Sequence, residues 1–120
     1  MHDGSNSGSE GLRPWLDRAE VLEATVRQLR KDLSLIETEL PVPPAGEDSF
    51  ERLRGMVRPV LEALNANGWH ALHVAMYRVD IPEKHLRRTL EQGGMEALSG
   101  ETVLRCLQKV LTRLRHAGRY

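Results

Sequence analysis

The chain reads as an all-α protein, a long N-terminal coiled-coil helix followed by a small bundle of four or five short helices. Three observations predict this. From Leu12 to Leu40 the residues Leu12, Trp15, Ala19, Leu22, Val26, Leu29, Leu33, Ile36 and Leu40 recur at alternating spacings of three and four, a heptad pattern that lines one face of a helix. Beyond Pro44, shorter apolar stripes at helical spacing alternate with Gly, Asn and Pro stops. Only five residues are aromatic, so burial must come chiefly from Leu, Val and Met.

Residues 1–11, MHDGSNSGSEG, carry no apolar side chain after Met1. Such a segment cannot offset the entropy of ordering and is predicted to be a disordered tail. His2 lies in it and reads as a tail residue. The first helix is predicted from Pro14, whose missing N–H is harmless in a first turn, to about Leu40. At ~1.5 Å per residue it would reach about 40 Å, longer than a small domain needs. Leu12, Ala19, Val26, Leu33 and Leu40 take one core position of the heptad, and Trp15, Leu22, Leu29 and Ile36 the other. The side chains between them are mostly charged. No Asn sits at a core position to fix register.

The seam has two readings. One is a helix that self-associates or binds a partner through Trp15, Leu22, Val26, Leu29, Leu33 and Ile36; the other is one helix of an intramolecular bundle, folded back over the following linker. The four unbroken repeats favour association, with large apolar side chains as anchors. Pro41, Pro43 and Pro44 end the helix, and residues 41–48 form a stiff linker.

Residues 49–120 are predicted to form the small helical domain. Asp48 or Ser49 caps a helix whose apolar face is Phe50, Leu53, Met56 or Val57, Val60, Leu61 and Leu64, and Asn65 to Gly68 stop it. Pro59 should kink that helix or divide it after Val57. Residues 69–79 fit a helical face and also alternate as a strand does. Helix is preferred, because a lone strand has nothing to pair with. Asp80 and Pro82 open another helix to about Gln92, ended by Gly93 and Gly94. Ser99 then caps the last helix, whose stripe is Val103, Leu104, Leu107, Val110, Leu111 and Leu114.

Charge and motifs narrow the function. Lys plus Arg equals Asp plus Glu at 17 each, yet residues 1–68 hold 8 basic and 12 acidic side chains against 9 and 5 in residues 69–120. That asymmetry suits head-to-tail contact between copies, or a basic tail that meets an acidic or phosphate partner. Cys106, the single cysteine, excludes a disulfide framework within the chain and fits a reducing compartment, as in the cytoplasm. No apolar run approaches the roughly 18–20 residues of a membrane span.

His70 and His73, three apart, would face the same way on a helix, with Glu62, Asp80 or Glu83 as candidates to join them. Nothing in the spacing fixes a third ligand, so no metal site is expected. Cys106 lies beside the apolar stripe of the last helix and reads as a small buried residue rather than a nucleophile. No paired carboxylates, triad or phosphate loop stands out, and no cofactor is expected. The reading is therefore a non-enzymatic adaptor or accessory subunit that self-associates or docks on a larger protein assembly through the seam. The alternative is a small nucleic-acid-binding regulator, using Lys84, Arg87, Arg88, Arg105, Lys109 and Arg113 on the C-terminal helices.

Overall fold

The computed structural model describes residues 11–118. The predicted tail, His2 included, lies outside them except for Gly11. A short 3₁₀ helix covers Arg13–Asp17, followed by α1 (Ala19–Leu33), α2 (Ser49–Ala66), α3 (Trp69–Arg78) and α4 (Glu83–His116). The described residues are helical with no strand, and none of these helices is long and apolar enough to cross a membrane.

The heptad stretch does not form one helix. Pro14 sits in the 3₁₀ helix, Arg18 is extended at φ −89° and ψ 126°, and α1 begins after it. At the other end Ser34 takes left-handed angles, φ 58° and ψ 50°, and the Leu35 N–H bonds the Arg30 carbonyl at 2.8 Å. This is a helix stop of the kind glycine usually makes. The chain then doubles back: Arg30 Nε donates to the Leu40 carbonyl at 2.8 Å, and Leu40 is fully buried. The spacing of three and four therefore continues through Ile36 and Leu40 although the helix does not, and α1 has 15 residues.

The buried face of α1, with Leu22, Val26, Leu29 and Leu33, joins one core with Leu40, Leu53, Val57, Leu72, Leu98 and Leu107. The fold-back arrangement of the seam is the one present. α4 is the hub, packing most extensively on α2 and α1 and also touching α3.

Two helix signals resolve differently from expectation. Division of α2 after Val57, one of the two expectations at Pro59, does not occur, and the helix runs on through that residue. Both Pro59 and Gly55, four residues earlier, are exposed, so the carbonyl that loses its partner can be hydrated. The two C-terminal helices run together as α4, interrupted only at Gly94, whose φ of 68° and ψ of −161° are open essentially to glycine alone. Ser99 caps nothing. It lies inside the helix with its hydroxyl donated to the Met95 carbonyl at 2.8 Å, the back-bond that serine makes in mid-helix. Ser49 and Asp48 likewise make no side-chain cap; Ser49 Oγ turns back to the Gly46 carbonyl at 2.9 Å.

Candidate functional site

The bend at Gly94 turns the first arm of α4, residues 83–93, against the second, residues 95–116. A Cβ at Gly93 would stand 2.5 Å from that of Ala97, so the arms meet closely there. One carboxylate ties them together. Glu101 on the second arm accepts from His85 Nε2 and from Thr89 Oγ1 (3.1 Å) on the first, and from Arg105 Nη2 at 3.3 Å. Arg105 also donates to the Asp80 carbonyl at 3.1 Å, which fixes the start of α4.

Beside this junction lies a cleft of about 850 Å³, and four arginines reach it: Arg13 from the 3₁₀ helix, Arg54 from α2, and Arg88 and Arg105 from α4. Glu101 is the one acidic residue of its lining. Behind the cleft wall, outside its lining, the buried Phe50 ring has the guanidinium carbons of Arg13 and Arg54 at 4.1 and 5.8 Å from its centroid. Stacking of this kind holds a cation in place while its in-plane N–H groups stay available. Gly100 packs closely against the Arg54 side chain, since a Cβ there would come within 3.2 Å of Arg54 Cδ. Arg54 is neutralised by Glu51 and by Glu96 at 3.2 Å. Arg13 and Arg88 form no ion pair with any described residue, and Arg13 Nε is buried without a hydrogen-bond partner. A smaller depression of about 420 Å³ continues along the second arm past Arg105 to Lys109 and Arg113.

The six predicted basic residues divide sharply. Arg87 is paired with Glu83 at 2.8 Å and stacked 4.6 Å over Trp69, and this pairing holds the Glu83 carboxyl below the usual carboxylate value. Lys109 is bonded to Asp32 and to the Arg78 carbonyl, both at 2.8 Å, while Arg113 donates to Gln28 Oε1 at 2.7 Å. Arg105 is bound to Glu101 as above. Only Lys84 and Arg88 have no side-chain partner among the described residues. The structure brings Arg88 and Arg105 into the cleft and leaves Lys84 and Arg87 outside its lining.

Of the predicted seam anchors, Leu22, Val26, Leu29 and Leu33 are spent on the core. Trp15 is half-buried and Ile36 is 65% exposed. Cys106 is buried, and burial, followed by the charge of Asp32, pushes its thiol far above the ordinary value, so it stays protonated. The described residues contain no group of three or more potential metal ligands; His73 faces Glu83 at 3.8 Å, while His70 is exposed. Sequence reasoning missed Arg13 and Arg54. They lie on elements far from α4 in the chain, and nothing in their local spacing marks them.

Comparison with family models, with curated proteins and with solved structures finds no match to this chain.

Proposed function

We propose that this protein is a non-enzymatic adaptor or accessory subunit, and that it docks on a partner protein by receiving an acidic segment of that partner in the cleft at the bend of α4. The observation that carries this reading is the convergence of Arg13, Arg54, Arg88 and Arg105 on one concave surface with a single carboxylate, Glu101, in its lining. Complementary charge of this kind steers and orients a partner.

A second depression adjoins the cleft at Arg105 and Gln108, but Asp80 lines it and its Lys109 and Arg113 hold internal partners, so the docking surface is the larger cleft. An apolar seam is not needed for this docking. Leu22, Val26, Leu29 and Leu33 serve the chain's own core, so the surface offered to a partner is the basic one. A duplex nucleic acid is a weaker fit, because four of the six basic residues that would contact it hold internal partners. The lining of the cleft also holds no aromatic side chain on which a base could stack.

The test is fluorescence anisotropy with a labelled Glu-rich peptide, a Gln-substituted control and a labelled DNA duplex, at ~50 and ~150 mM salt. Saturable, salt-sensitive binding of the Glu-rich peptide, lost in Arg13→Glu/Arg88→Glu with the helical spectrum intact, is the expected result. Binding of the duplex in preference to the peptide would transfer the cleft to nucleic acid, and binding of neither would remove the proposal.

A further inference from the structure

The wall of the cleft that holds Arg13 and Arg88 carries more than a general affinity for acidic side chains. Building on the docking reading above, we infer that it receives a phosphoryl group, presented as a phosphorylated serine or threonine of the partner segment.

Arg13 is the anchor. Its guanidinium is fixed 4.1 Å over Phe50, and its buried Nε has no acceptor. An unpartnered buried donor is uncommon in a folded protein, and because Nε is closed to solvent an incoming acceptor can reach only the terminal N–H groups of the Arg13 guanidinium. The chain's own carboxylates do not supply that acceptor. On its other side Arg13 borders a depression that includes Asp17, Glu47, Asp48 and Glu51, and none of them forms an ion pair with it. Glu101, the carboxylate inside the cleft, is already engaged by His85, Thr89 and Arg105.

The charge balance selects the ligand. Arg54 is offset by Glu51 and Glu96, and Arg105 by Glu101. Arg13 and Arg88 remain, two cations with forked donors and no counter-ion among the described residues. A phosphoryl group brings about −1.5 to −2 charge and three acceptor oxygens. A carboxylate brings a single charge and two oxygens. Two uncompensated guanidinium groups therefore match the phosphoryl group in charge and in the number of acceptors, and arginine binds it in bidentate geometry.

The test follows the arginine Nε–Hε signals of the full chain by ¹⁵N NMR. The probes are a phosphoserine tripeptide amide, its glutamate counterpart, inorganic phosphate and a short single-stranded oligonucleotide. The expected result is a saturable shift of the Arg13 and Arg88 signals by the phosphoserine peptide. Its affinity should exceed that of the glutamate peptide by about tenfold, the effect of one further charged hydrogen bond. Arg13→Lys, which keeps charge but lacks the fork, and the exposed Arg88→Gln should each abolish that preference.

Equal binding of the two tripeptides would overturn the phosphoryl assignment while leaving the acidic-segment reading to its own test. Tighter binding of inorganic phosphate than of the phosphoserine peptide would assign the site to a free anion and overturn the inference, as would tighter binding of the oligonucleotide. Absence of any saturable shift would also overturn it.

Discussion

Lys109 Nζ reaches across the core from α4 to donate to Asp32 Oδ2 at 2.8 Å, joining the last helix to the end of α1. Asp32 is nearly buried and also accepts from Gln28 Nε2 at 3.1 Å, while Lys109 completes its bonds on the Arg78 carbonyl. Three helices meet at this pair. Lys109→Ala leaves a carboxylate in the core with a neutral amide and a thiol for company. We expect a loss of about 3 kcal/mol, the lower end of the range for breaking a buried pair, because Lys109 is partly open to solvent. Urea unfolding of Lys109→Ala, Asp32→Asn and the double variant should give a coupling energy of roughly 1–3 kcal/mol. Additive effects would show that the contact is incidental.

Leu29 and Ile36 separate the two fates of the heptad stretch. If the seam were a free association surface, Leu29→Asp and Ile36→Asp would both disrupt an oligomer and leave the fold intact. Leu29 is fully buried in the core and Ile36 largely exposed. Leu29→Asp should therefore cost more than about 4 kcal/mol and abolish the cooperative unfolding transition, while Ile36→Asp should stay within about 0.5 kcal/mol of the parent. Light scattering together with circular dichroism distinguishes these outcomes.

Gly94→Ala tests the bend. The backbone angles at Gly94 belong to a region that side-chain-bearing residues enter at a cost of about 1–3 kcal/mol. The variant should be destabilised by that amount or extend α4 and pull the arms apart. In the second case the hydrogen bonds from His85 and Thr89 to Glu101 break, and the His85 ring resonances should shift.

Cys106 supplies a pH-dependent test. Burial, and after it the charge of Asp32, raises its thiol, so the folded protein keeps this proton where the unfolded chain has lost it. The stabilisation is fully present below the ordinary thiol value of about 8.5 and is lost as pH rises above it. At pH ~8 an aromatic disulfide reagent should react with the native protein only through unfolding, at a rate that rises with urea. Rapid labelling of the native state at the rate of a free thiol would place Cys106 at the surface.

Much of the fold was legible because it depends on periodicity. The faces of α2 and α3 and the apolar stripe of the second arm of α4 follow from their spacing, and the apolar residues of α1 are the ones that enter the core. The two failures share a cause. Ser34 adopts a left-handed stop that serine rarely takes, and Leu40 returns to the core from a loop at a distance that mimics another helical turn. Gly93 and Gly94 resemble a terminus, yet a single non-helical residue suffices because residues 95–98, Met-Glu-Ala-Leu, are good helix formers and resume at once. The site was less legible. Arg88 and Arg105 could be chosen for their charge, but the internal engagement of Lys109 and Arg113 depends on Asp32 and Gln28, which only folding brings near.

The bond between Asp32 and Lys109 closes a separation of 77 residues. On a ribosome that adds about 5–20 residues per second, α1 emerges roughly 4–15 s before the helix that covers its apolar face. During that interval Leu22, Val26, Leu29 and Leu33 have no native partner on α4. Nascent chains halted before α4 has left the exit tunnel should therefore recruit a chaperone that recognises exposed leucine, and should release it once residues through Leu111 are free.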